Sequence, residues 1–156
     1  MLHTDGTNLS AIDELIIAVF RLSGSLLEGG SRLVKELGIT PAWWQVLGAL
    51  AISPVPLTVP QIARNMGLAR QSVQRIVDLL LDKGFVVLEH NPHHRRAKLV
   101  ALSEAGYSVY KEAQLRQRPW AESLAEGLPA DSLKKAIAVL KCIDEKLGEQ
   151  KDEDED

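Results

Sequence analysis

The stretch VPQIARNMGLARQSVQRIV, residues 59–77, divides at a glycine. Thr58 and Gln61 have the S/T-x-x-E/Q spacing of a capping box, in which each satisfies a free backbone donor of the other, so a helix opens here. Gly67 ends it, and ARQSVQRIVDLLLDKG, residues 69–84, reads as the next helix, closed by Gly84. Two helices that cross tightly need a small residue at the crossing, a turn residue able to take positive φ, and apolar residues that seat the second helix on the first. Ala63, Gly67, and Val73 with Ile76 meet these needs at consistent spacings. The pattern predicts a helix-turn-helix.

On the second helix, Val73, Ile76, Val77 and Leu80 share the face expected to meet the core. Arg70, Gln71, Gln74, Arg75 and Asp78 fall on the opposite stripe. Arg can fork onto guanine, Gln onto adenine, and both can hold a phosphate. An ordinary solvated helix face would show a similar stripe, so the segment that follows carries weight. Residues 88–102 read LEHNPHHRRAKLVAL. FVVLEH and AKLVAL predict two strands around an NPHHRR turn, a hairpin with a longer loop. Arg95, Arg96 and Lys98 at its tip can reach a phosphate backbone or a narrow minor groove, where negative potential is concentrated. His90, His93 and His94 add donors, more strongly when protonated. Three imidazoles can also ligate zinc, but no Cys and no nearby carboxylate beyond Glu89 completes a shell, so no metal is expected.

Working outward, Ile12, Leu15, Ile16, Val19, Leu22 and Leu26 recur at helical spacing after a frayed start over residues 1–8. Asn8 or Ser10 is the expected cap. Gly29-Gly30 is expected to break or kink this helix, leaving SRLVKEL as a second short piece that ends at Gly38. In ITPAWWQVLGALAI, Thr40 is the N-cap and Pro41 the first helical residue, with Trp44, Leu47 and Leu50 on one face. SPVP stops that helix at Ser53. Ser103 and Glu104 open a long helix, expected to kink or break near Pro119. A last helix from about Pro129 to Leu147 carries a stripe of Leu133, Ile137, Leu140, Ile143 and Leu147.

The 156 residues carry a formal net charge of −3, unevenly spread. Residues 60–100 hold seven Lys/Arg against three Asp/Glu, while the tail EQKDEDED holds six acids and one lysine. A basic middle on a near-neutral body fits nucleic acid, and the acidic tail reads as disordered and solvated. No apolar run approaches the roughly 20 residues that span a bilayer, and no signal peptide or anchor is expected. One cysteine, Cys142, excludes an intramolecular disulfide, fits a reducing cytosol, and is expected to pack as a small hydrophobe. There is no Gly-rich phosphate loop, no Cys/His metal spacing and no nucleophile elbow, so no enzyme is expected.

ITPAWWQVLGAL, IARNMGLARQSVQRIVDLLLDKGFVV and HHRRAKLVALSEAG together resemble the MarR family of bacterial transcription regulators over about residues 40–106, and in helix order over 9–147. The last segment resembles the family's wing signature, D-x-R, five residues, then L-T-x-x-G. Arg96 takes the arginine position, Leu102, Ser103 and Gly106 the end of it, with Ser for Thr. His94 stands where the signature has the aspartate that steadies the wing arginine. Ala69 stands where a capping Ser or Thr is common, a loss of roughly 1 kcal/mol. The resemblance implies a mainly α fold with a small β-hairpin, a winged helix-turn-helix core flanked by N- and C-terminal dimerisation helices. It implies a homodimer on palindromic double-stranded DNA, usually a repressor, relieved by a small, often phenolic ligand. Trp43 and Tyr107 are the residues it suggests for a ligand pocket, with Trp44 assigned to core packing.

The expected organisation is residues 1–52 for the N-terminal dimerisation and support helices and 53–102 for the DNA-binding lobe. Residues 103–148 are the C-terminal dimerisation helices and 149–156 a disordered acidic tail. Arg70, Gln71, Gln74 and Arg75 are expected in the major groove, and Arg95, Arg96 and Lys98 on the wing contacts. No cofactor is expected beyond a possible small aromatic effector, and the cytoplasm is the expected location. The negative net charge and the missing wing aspartate favour one alternative, a winged-helix protein-interaction module without DNA binding.

Overall fold

The computed structural model describes residues 6–154, with side chains from 8 to 149. Helix α1 runs Gly6–Val34 and ends in a 3-10 turn, Lys35–Leu37. Helices α2 (Pro41–Ile52), α3 (Val59–Met66) and α4 (Arg70–Asp82) follow, then strands β1 (Val86–Glu89) and β2 (Leu99–Leu102). The chain closes with α5 (Glu104–Ala125) and α6 (Ala130–Asp154). It divides into two compact units, residues 1–118 and 119–156.

In the first unit the local signals act as expected. The Thr40 hydroxyl accepts from the Trp43 N–H at 3.2 Å and caps α2, with Pro41 in the first turn. Thr58 and Gln61 form the reciprocal capping box of α3: the Gln61 N–H donates to Thr58 Oγ1 at 3.4 Å and the Thr58 N–H to Gln61 Oε1 at 2.8 Å. Gly67 takes φ 63°, and the Leu68 N–H returns to the Ala63 carbonyl at 3.0 Å, which turns the chain from α3 into α4. The core joins Val34 of α1, Leu47 and Leu50 of α2, Ile62 and Ala63 of α3, and Val73, Val77 and Leu80 of α4. Val86, Val100 and Ala113 close it from the hairpin and α5. Ile76 and Trp44 pack against it half-buried.

The hairpin is antiparallel, with Val86 opposite Leu102 and Glu89 opposite Leu99. Its foot is clamped twice. Leu57, ahead of α3, exchanges both backbone hydrogen bonds with Val100, at 3.2 and 2.7 Å. Ser103 caps α5 by accepting from the Gly106 N–H at 3.0 Å, and its hydroxyl donates to the Gly84 carbonyl at 2.5 Å. The Ser103 N–H donates to the Phe85 carbonyl at 3.0 Å. A Cβ on Gly106 would fall 1.8 Å from the Phe85 oxygen, so only glycine fits there. Farther along α5, Arg116 pairs with Glu36 of the 3-10 turn at 3.0 Å and with Glu112 at 3.4 Å. Hydrogen bonds to Glu36 and then Glu112 raise the Arg116 guanidinium above its ordinary range.

Three expectations about the outer helices are corrected. α1 is unbroken through Gly29-Gly30, because buried Gly30 lies against α2, its Cβ position 3.8 Å from Trp44 and 3.9 Å from Pro41. Packing there outweighs the weak helix preference of glycine. SRLVKEL is thus the end of α1 and its 3-10 turn, with Gly38 at φ 72° after it. Asn8 and Ser10 do not cap, since α1 already begins at Gly6; of the expected frayed start, residues 1–5 lie outside the described residues. α5 does not stop at Pro119 but continues to Ala125.

In the second unit, the end of α5 leads into a turn with Gly127 at φ 75°. The Pro129 carbonyl accepts from the Leu133 N–H at 3.2 Å, which starts α6. α6 passes Leu147 and continues to Asp154, so helix replaces the expected disordered tail up to that residue; 155 and 156 lie outside the described residues. Cys142 is exposed on α6 of the single chain. No helix among the described residues is long and apolar enough to cross a membrane.

Two substitutions check the packing. Gly106→Ala should cost about 3 kcal/mol or more, because backbone rather than a flexible side chain must give way. Gly30→Ala should be neutral or stabilising by up to about 1 kcal/mol, since a methyl group there meets only ordinary contacts. Urea midpoints of both variants against the parent check the pair.

Candidate nucleic-acid interface

α4 shows two faces. Val73, Val77 and Leu80 are fully buried, whereas Arg70, Gln71, Gln74, Arg75 and Asp78 are exposed. Gln74 Nε2 donates to Asp78 Oδ1 at 2.9 Å, one helical turn on. At the start of α4, Ala69 has the extended backbone of an N-cap, φ −67° and ψ 141°, but no side chain caps the helix.

The wing, residues 90–98, is held from within. Asn91 is buried, and its Oδ1 accepts from the His93 N–H at 3.0 Å, closing a turn on which the tip is built. The Ala97 N–H donates to the His94 carbonyl at 3.3 Å. His90, His93, His94, Arg95, Arg96 and Lys98 are all exposed.

These pieces meet in a crevice of about 430 Å³ between α4 and the wing. Arg70, Gln71 and Gln74 line it from α4, and Arg96 and Lys98 from the wing. Thr58 and Pro60 form one edge, and Val77, Leu88 and Val100 its apolar lining. The structure thus gathers five of the seven expected contact residues; Arg75 and Arg95 are exposed but outside the crevice. Among the described residues no carboxylate lines it. Arg70, Arg75, Arg95, Arg96 and Lys98 make no ion pair among the described residues; the pairs described there join Arg32 to Glu28 and Arg116 to Glu36 and Glu112. Arg96 is therefore left open, with His94 in place of an acid two residues before it. A second crevice of about 700 Å³ is lined by His93 and His94 of the wing together with Arg64 and Gln61 of α3.

Trp43, expected to line a ligand pocket, is half-buried against the core, and Tyr107 is exposed with Lys111 Nζ 5.7 Å from its ring centre. Neither lines the two crevices. Among the described residues no three His, Cys, Asp or Glu side chains are grouped to hold a metal ion. The sequence reading set Ser103 at the start of α5 and NPHHRR in the turn, but missed the supporting contacts of Leu57, Ser103 and Asn91. Leu57 and Ser103 act through partners far along the chain, which periodicity does not register. The Asn91 turn could have been found, because Asn-Pro is a turn signal and an Asn side chain mimics the turn's own backbone acceptor.

An exposed helix bearing Arg and Gln, beside a projecting basic hairpin, can offer forked donors to base edges and point charges to phosphates at once. The comparisons with known proteins agree. A model of the MarR family matches residues 37–97. An uncharacterized protein of Mycobacterium tuberculosis is 38% identical over 138 residues, which are 84% of this chain and 95% of that one. The transcriptional activatory protein BadR of Rhodopseudomonas palustris is 27% identical over 101 residues, 64% of this chain and 58% of that one. CouR of Rhodococcus jostii, solved with p-coumaroyl-CoA, superposes with a TM-score of 0.76 at 24% identity, over 84% of this chain and 92% of that one. The transcriptional repressor CouR solved on a 23-mer DNA duplex gives 0.71 at 24% identity, over 81% and 89%. The chain belongs to the MarR family of DNA-binding transcriptional regulators.

The uncapped start of α4 makes one prediction. Ala69→Ser supplies the missing acceptor on a backbone already in the N-cap conformation, and should raise stability by about 1 kcal/mol. Thermal melts of the two proteins measure it.

Proposed function

We propose that this regulator acts as a homodimeric, ligand-responsive repressor that binds a palindromic operator in the cytoplasm and catalyses no reaction. Arg70, Gln71, Gln74 and Arg75 enter the major groove, and Arg95, Arg96 and Lys98 hold the adjoining backbone or minor groove. The observation that carries this reading is the crevice in which α4 and the wing present Arg70, Arg96 and Lys98, none in an ion pair among the described residues, beside the amides of Gln71 and Gln74. Two copies related by a two-fold axis would set their α4 helices into successive major grooves about 34–36 Å apart.

Dimerisation is supported by apolar side chains left on the outer helices. Ile17 and Phe20 of α1, Leu115 of α5, and Ile137 and Leu147 of α6 are each at least half exposed. Side chains of this size, left exposed in each unit, are the kind that another chain covers. The effector is proposed as a small aromatic compound, on the strength of a MarR of Staphylococcus aureus being solved with salicylate and kanamycin. Trp43 and Tyr107 remain the proposed lining residues. They stand on α2 and α5, helices that approach where Tyr110 lies 3.5 Å from the Cβ position of Gly48.

The test is fluorescence anisotropy of the full chain on its own upstream intergenic DNA, against scrambled DNA, over a salt series. Binding should be sequence-dependent and should weaken steeply with salt, as expected when cations displace the counterions of phosphates. Arg96→Ala should lower affinity about 10-fold on both DNAs and flatten the salt slope by about one, whereas Gln74→Ala should change sequence preference more than nonspecific affinity. A folded dimer that binds neither DNA at low salt would instead be an interaction module.

A further inference from the structure

The exposed face of α4 carries Asp78 among its cations and amides, with Asp82 at the helix end one turn further on. Asp78 stands one turn beyond Gln74, which itself lines the crevice with Arg70, Gln71, Arg96 and Lys98. A carboxylate on a surface that approaches phosphates opposes binding. Its presence there calls for a role, and the geometry supplies one. Asp78 Oδ1 accepts a hydrogen bond from Gln74 Nε2 at 2.9 Å. An ionised carboxylate only accepts, and in a glutamine amide only the nitrogen donates. The contact therefore fixes which way round the Gln74 amide lies, with Nε2 toward Asp78 and Oε1 on the other side.

The amide nitrogen has two N–H bonds, and Asp78 engages one. What Gln74 has left to offer a base is one N–H and Oε1, a donor beside an acceptor in a set order. Adenine shows the complementary pair in the major groove, the N7 acceptor and the N6 donor, whereas guanine shows two acceptors, N7 and O6. An amide free to turn over can present its nitrogen to guanine O6; one held by Asp78 presents its oxygen there and is repelled. We infer that Asp78 is a positioning residue for base readout, orienting Gln74 so that it selects adenine and rejects guanine at one position of each half-site. The inference rests on the proposed reading of α4 as the groove helix. A Gln–Asp pair four residues apart also stabilises a helix slightly, and the test separates the two roles.

The experiment selects a preferred duplex from randomised double-stranded DNA with the full chain. Affinities are then measured by anisotropy for that duplex and for every single-base replacement in it. The parent should discriminate adenine from guanine at one position per half-site by about 5- to 150-fold, the range of a good two-bond contact. Asp78→Ala should reduce that ratio to about 3-fold or less, leave the other positions unchanged, and bind nonselected DNA at least as tightly as the parent. Asp78→Glu, which keeps an acceptor-only group, should retain most of the discrimination. Gln74→Ala should flatten the same position, and adding Asp78→Ala to it should change nothing further. Asp78 is exposed, so its variants should melt within a few degrees of the parent. Unchanged discrimination in Asp78→Ala would overturn the inference, as would a loss spread evenly over all sequences. If the parent itself selects no sequence, the groove reading of α4 falls and this inference falls with it, an outcome distinct from the other two.

Discussion

The Phe85 carbonyl and the backbone of Gly106 occupy a space with no room for a side chain. Around this contact the end of α4, the foot of the wing and the start of α5 are joined. The Ser103 hydroxyl reaches Gly84 while accepting from Gly106, and the Ser103 N–H takes the Phe85 oxygen. A helix that reads bases and a hairpin that holds the backbone can cooperate only if their separation is fixed. Here that separation is set by backbone hydrogen bonds, with the Leu57–Val100 pair as a second clamp on the other side of the hairpin. The serine and glycine of the wing signature thus have a mechanical reading: one braces, the other makes room.

Charge is sorted by place. Arg116 is tied to Glu36 and Glu112 where α5 meets the turn after α1, and Arg32 to Glu28 on α1. The cations of α4 and the wing are left without acids, so a chain of net charge −3 still offers a positive crevice. Exposed ion pairs add little to stability, so the pairing matters here chiefly for where free charge remains. The mildly acidic total governs solubility, while the local arrangement governs what is bound.

Much of this was legible in the chain because it is written locally. A capping box at Thr58 and Gln61, a left-handed glycine at 67 and short apolar runs on either side of NPHHRR each state their structure within a few residues. The exposed stripe of α4 followed from helical spacing alone. What escaped depends on partners distant in sequence. Gly29-Gly30 reads as a break until Trp44 and Pro41 are placed beside Gly30. Leu57 reads as the end of a proline-rich stop until Val100 pairs with it. The crevice joins residues 58–100, and no periodicity could say that Arg96 would line it and Arg95 would not. The acidic end was read from composition as unstructured, yet helix continues through it to Asp154.

The central claim is that α4 and the wing, held at a fixed separation, form one DNA-reading surface. Hydrogen–deuterium exchange of the full chain with and without the preferred duplex tests it most directly. Slowed exchange is expected in two separate segments, residues 69–78 and 90–99, at the same DNA concentration. Slowing confined to one of them, or appearing only in α1 or α6 while both segments stay unchanged, would contradict it.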